Sequence, residues 1–203
     1  MARESVMEAE RGGLPVLDFA DAATWEGWLA AQAARGEAGA KGVWLRIAKA
    51  GNDTSRLTKA QAIDAALCHG WIDGQIDKWD EAWFLTRFTP RKRTSKWSEN
   101  NRKRAETLMS ENRVMPAGLA EIAAAKADGR WDAAYAPAST AAEPADLTAA
   151  LDAEPAARTF FDTLSGANRY AILYRVQTAK KPETRAARIA KFVGMCARGE
   201  TIH

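Results

Sequence analysis

Two alternating runs on either side of a short polar break, Trp71 to Asp77 and Trp83 to Thr89, constrain this chain more than any other feature. A period of two fits strands with one covered face, and the turn-like Lys78 to Glu81 makes the pair an expected antiparallel hairpin. On that reading Ile72 and Ile76 face one way, and Trp71, Asp73 and Gln75 the other. Pro90 has no N–H to give a ladder and ends the sheet. A third strand is expected at Val43 to Lys49, where Val43, Leu45 and Ile47 alternate with Trp44, Arg46 and Ala48. Three or more strands with too few crossovers for a doubly wound sheet predict the α+β class, a small antiparallel sheet covered by helices.

The helices announce themselves by their ends. Asp21 is a natural N-cap for a helix with Trp25, Trp28, Leu29 and Ala33 on one face. Thr58-Lys59-Ala60-Gln61 has capping-box form, and Gly70 suits the residue after that helix because glycine accepts a left-handed backbone. His69 then lies at the negative end of the helix dipole, where an imidazolium is favoured. Gly51-Asn52-Asp53 reads as a turn. Ser98 or Ser95 caps a helix lined by Ala105, Leu108 and Met109, and Pro116 opens another.

The expected organisation is a mobile tail over residues 1–13, an α+β domain over 14–131, an Ala/Pro/Ser/Thr-rich linker over 132–145 and a helical bundle over 146–203. Tyr170 to Val176 would suit a buried strand by composition, but Ser165 before it and Lys180-Lys181-Pro182 after it mark a helix. In the last helix Ala186, Ile189, Val193 and Cys196 are expected inward, with Arg185, Arg188, Lys191 and Arg198 outward.

With 47% hydrophobic residues in 203, a real core is available. The start lacks the apolar run of a signal peptide, and no 18-residue apolar stretch exists to span a bilayer, so a cytoplasmic protein that does not insert in membranes is expected. Cys68 and Cys196 lack paired spacing and suit reduced, buried thiols. The net charge is only +3, yet eight Lys or Arg fall between Arg87 and Arg104 against Glu99 alone. Eight more fall between Arg169 and Arg198 against Glu183, leaving the remainder acidic.

With only His69 and His203 and no phosphate-loop or dinucleotide fingerprint, neither a metal nor a cofactor is expected. Adjacent helix residues point apart, so Cys68 and His69 make a poor nucleophile and base. The candidate site is a pocket for a small anion at one end of the hairpin. There Asp73 and Arg87 approach across the strands, Trp71 and Trp97 form aromatic walls, and Arg91 and Arg93 hold a carboxylate or phosphate with forked hydrogen bonds. The plainer alternative is a structural ion pair with the tryptophans in the core.

Nucleic acid is a rival partner, because Arg87 to Trp97 interleaves cations with an aromatic. A further alternative is an enzyme on a small anionic metabolite with Asp73 as general base. Direct capture of a cationic peptide by the basic segment is opposed by repulsion and would need the acidic remainder.

Gly70-Trp71-Ile72-Asp73-Gly74-Gln75, Arg87-Phe88-Thr89-Pro90-Arg91, Ser95-Lys96-Trp97-Ser98 and Asn101 together resemble the YdeI/OmpD-associated, or bacteriocin-protection, family. Met115 to Leu119, Ala124 to Trp131, Ser165 to Tyr174 and Lys181 to Arg185 look like its later blocks, with Gly166 where the family has proline. The resemblance implies a non-enzymatic cytoplasmic bacterial protein of stress and antimicrobial-peptide resistance, acting through a small anion or a protein partner.

Overall fold

The structure, a computed structural model, describes residues 6–49, 51 and 56–203. Residues 1–5 of the expected tail, and Asn52 and Asp53 of the expected turn, lie outside the described residues. The chain divides into two compact units, one of Met1–Lys96 with Asn101–Ala133, the other of Trp97–Asn100 with Ala134–His203.

The first unit is built on a five-stranded sheet: β1 (Val6–Arg11), β2 (Leu14–Asp18), β3 (Val43–Ala48), β4 (Trp71–Lys78) and β5 (Trp83–Pro90), in the order β1-β2-β3-β5-β4. All neighbours are antiparallel except β2 and β3, which run parallel. The α+β expectation of three or more strands holds, but the sheet is mixed rather than antiparallel throughout. Val6–Arg11, expected as part of a tail, is a strand because Gly12 and Gly13 both adopt positive φ, at 57° and 72°, and close a tight hairpin onto β2. Trp44 fastens that hairpin by donating its indole N–H to the Arg11 carbonyl at 3.0 Å.

Helices α1 (Ala22–Ala34) and α2 (Lys59–Cys68) cover one sheet face, each opened by a reciprocal side-chain cap, at Thr58 as expected and at Asp21, where a simple N-cap was expected. Val43, Leu45, Ile47 and Phe88 meet Trp25 and Leu29 there. The other face holds Val16, Trp44 and Leu85, so the central strand β3 is buried on both sides. A fully buried side chain of this kind is worth about 1.5–3 kcal/mol.

After the sheet come α3 (Glu99–Ser110) and α4 (Pro116–Ala127). Arg104 of α3 pairs with Asp64 of α2. The entry to α4 is held to the end of α2 by the Met115 N–H, 3.0 Å from the Cys68 carbonyl.

The second unit contains α5 (Ala145–Asp152), α6 (Pro155–Thr163), α7 (Gly166–Gln177) and α8 (Pro182–Ala197) around Leu147, Leu151, Phe161, Leu173 and Phe192. The helix over Tyr170 to Val176 is present, and Ser165 caps it by accepting from the Asn168 N–H at 3.4 Å. The expected faces of α8 need correction. Ala186 is exposed and Phe192 buried, while Arg185 and Arg188 lie at the edge of the buried stripe. Arg185 donates to the Val176 carbonyl at 2.9 Å, and Arg188 to the Arg175 carbonyl. Long arginine stems pack on apolar surface while their heads find acceptors.

The segment expected as a surface linker is also tied into this unit. The Tyr135 N–H donates to the Trp97 carbonyl at 3.0 Å, the Tyr170 hydroxyl to the Ala136 carbonyl at 3.0 Å, and Glu143 pairs with both Arg158 and Arg169. Burial pushes the Glu143 carboxyl up, but hydrogen bonds and charge from the two arginines outweigh it and hold it below its usual 4.5. A depressed folded value means stabilisation that is complete above about pH 4.5 and fades as pH falls through the folded value. Urea titrations of wild type and Glu143→Gln should therefore differ in midpoint near neutrality and converge in acid. A gap that persisted in acid would mean that the charge of Glu143 is not what holds the segment.

Candidate functional site

The end of the sheet where β4 begins and β5 stops presents two pockets, and the strand register assigns them to opposite faces. Trp71 lies opposite Pro90 in the ladder, and Ile72 opposite Thr89. Opposed residues share a face and successive residues alternate. Trp71 and Pro90 line a pocket of about 240 Å³ on the helix-covered side, and Ile72 and Thr89 line one of about 310 Å³ on the other.

The six residues expected to share one site are distributed accordingly. Trp71 and Arg91 line the first pocket, and Asp73 and Arg87 the second. Arg93 is exposed in the turn after the sheet, and Trp97 belongs to the other unit. Asp73 is in register with Phe88, whereas Arg87 is in register with Trp44, so the two side chains leave opposite faces and form no ion pair. Asp73 instead accepts from the Asn101 side-chain amide at 3.2 Å. A one-residue bulge between Asp73 and Ile76 shifts the phase of β4, so Ile72 and Ile76 do not share a face, and Ile76 is 55% exposed.

Arg91 takes a role other than the one expected. Its backbone N–H donates to the Gly70 carbonyl at 2.9 Å, adding a rung beyond Pro90. The residue is 6% exposed, and its guanidinium donates to the Lys96 carbonyl at 3.3 Å, bracing the turn between them. A group so placed is not offered to a solvent anion. Trp97 is buried at 2% exposure, and Arg104 is committed to Asp64, so the basic run does not present a continuous stripe of cations and stacking rings.

What remains open to solvent in the second pocket is Arg87, with Lys41 and Lys92 beside it. Among the described residues none of these three side chains has an ion-pair partner, and the one carboxylate present, Asp73, is held by Asn101. Three cations against one carboxylate make the pocket electropositive.

Sequence reasoning missed the first pocket. Five polar or charged side chains are buried among the described residues, and three of them, Gln32, His69 and Arg91, line it. They come from the ends of α1, α2 and β5, with Glu121 from α4, so no short motif signals them. His69 also departs from expectation. Burial holds its imidazole below the usual 6.5, against a weaker opposite pull from Glu26, so desolvation outweighs the helix dipole and the neutral ring is favoured. Burial likewise raises the neighbouring Cys68 thiol to about 11, which leaves it unreactive at neutral pH.

Gly70 and Gly118 set the approach of these elements. Gly70 has φ of 75°, and a Cβ there would lie 3.0 Å from the Ala117 carbonyl oxygen. At Gly118 a Cβ would lie 2.4 Å from the Cys68 oxygen, so α4 reaches the end of α2 only because a side chain is missing.

A mixed five-stranded sheet with helices on it, accompanied by a four-helix unit, defines a two-unit α+β protein with polar pockets at one sheet end. Residues 17–121, more than half of the 203, match the model of a domain of unknown function (DUF8412), and the chain belongs to that family. Residues 140–199 match the model described as Bacteriocin-protection, YdeI or OmpD-Associated. The similarity to YdeI/OmpD-associated proteins thus falls in the C-terminal unit, with the blocks Ser165 to Tyr174 and Lys181 to Arg185. The Gly70 to Asn101 stretch lies within the first match. No curated protein and no solved structure matches the chain. Among the described residues, no helix is long and apolar enough to cross a membrane.

Proposed function

We propose that this is a non-enzymatic cytoplasmic protein of stress and bacteriocin resistance that acts through a small oxyanion, a carboxylate or phosphate, bound between Lys41, Arg87 and Lys92. The bacteriocin-protection match over residues 140–199 supports the biological role. The gathering of three cations without an ion-pair partner in one pocket supports the ligand chemistry. Arg87 supplies the forked donor, and the two lysines supply mobile charge. One carboxylate, Asp73, also lines the pocket, hydrogen-bonded by Asn101, and the three cations outnumber it.

Titration calorimetry with inorganic phosphate and with citrate tests this directly. Wild type should bind at least one of them, and Arg87→Ala should weaken binding about tenfold or more, the worth of a charge-assisted hydrogen bond. Cells carrying Arg87→Ala should also survive bacteriocin challenge less well than wild type. Absence of heat with both anions would remove the ligand. Unchanged protection with binding lost would separate the pocket from the resistance.

A further inference from the structure

The pocket on the helix-covered side has polar capacity that nothing in the fold uses. Glu121 has one carboxylate oxygen out of contact with solvent and without a hydrogen-bond partner, and among the described residues it makes no ion pair. His69 is more than nine-tenths buried, lines the same pocket, and its ring makes no hydrogen bond among the described residues. Gln32 is also buried there, but its carbonyl already accepts from the Ala40 N–H at 3.0 Å. An unsatisfied buried polar group costs about 1–3 kcal/mol, and the Glu121 oxygen is one, with the His69 ring bordering the same small cavity.

The chemistry of these groups selects the occupant. An ionised carboxylate only accepts, and a neutral imidazole offers one acceptor and one donor. Arg91 also lines the wall and turns one guanidinium N–H to the Lys96 carbonyl. Trp71, Pro90 and Ala33 provide an apolar surround. An anion would meet the unpartnered carboxylate, whereas a donor-rich cation with a short apolar stem would complement both the acceptors and the wall.

We propose that this pocket binds an organic cation rich in N–H donors, a primary ammonium or guanidinium group, with Glu121 as its anionic partner and His69 as a second acceptor. The site lies on the opposite face of the sheet from the oxyanion pocket and does not depend on it. A guanidinium gives two donors to the carboxylate in fork geometry, and an ammonium three donors shared between carboxylate and ring. The group is supplied either by a small metabolite or by a basic side chain of a peptide.

Titration calorimetry with agmatine, cadaverine and Nα-acetyl-lysine amide separates these sources, the first two standing for free metabolites and the third for a side chain. Wild type should bind at least one probe, and Glu121→Gln, which keeps the shape and removes the charge, should weaken it about tenfold or more. Ala33→Phe, at an exposed position of the wall, should block entry by bulk, and it decides the matter if Glu121→Gln does not fold. No binding of any probe by wild type, or affinity unchanged in both variants, overturns the proposal. Phosphate titration reports separately on the other face.

Discussion

Trp25→Ala is expected to cost about 3–5 kcal/mol of unfolding free energy, the range for truncating a buried aromatic. Trp25 is fully buried and joins three elements at once. Its ring stacks on Trp28 at 5.3 Å, tilts against Phe19 at 5.1 Å and meets the edge of Phe88 at 5.5 Å, while its indole N–H donates to the Ala62 carbonyl at 3.1 Å. Alanine would leave a cavity bounded by α1, α2 and the sheet, whose regular backbones cannot collapse into it. A urea titration should show the midpoint falling with little change in slope. A loss below about 1 kcal/mol would mean that the neighbouring rings close the gap and that the cluster is not rigid.

Gly118→Ala is the second large effect, and its sign is the informative part. By helix propensity alone the change should stabilise α4 by about 1 kcal/mol. The added methyl, however, falls 2.4 Å from the Cys68 oxygen and 2.8 Å from the Leu67 oxygen, both backbone atoms at the end of α2 that cannot rotate away. Helix α4 must shift, and a net loss of about 2 kcal/mol or more is expected from overpacking. Because α4 carries Glu121, affinity for the ammonium or guanidinium probes should fall with it. A more stable variant in thermal or urea unfolding would show that the helices do not approach this closely.

Much of the frame was legible in local sequence. The caps at Asp21, Thr58 and Ser165 are written in residues next to the helices they start, and the alternation in β3 and β5 survives intact because those strands pair without irregularity. Legibility failed where a feature depends on partners. The Gly12-Gly13 turn was readable as a hairpin signal, yet the charged run before it reads as tail until β2 is there to pair with it. The bulge in β4 flips Ile76, and composition does not reveal a shift of one residue. Arg91 reads as a surface cation because a sequence displays charge but not burial. The His69 pocket draws on residues at 32, 69, 91 and 121, and only the close approach through Gly70 and Gly118 brings them together.

The bulge between Asp73 and Ile76 also bears on solubility. β4 is an edge of the sheet, and its outward row of N–H and C=O groups is a template on which another chain could add a strand. The extra residue at Gly74-Gln75 breaks that row midway, leaving two short runs out of phase, and Asp77 and Lys78 place charge on the second of them. The same irregularity that separates Ile72 from Ile76 therefore protects an exposed isoleucine from becoming the start of an intermolecular sheet, a safeguard against aggregation set in the strand that leads out from both pockets.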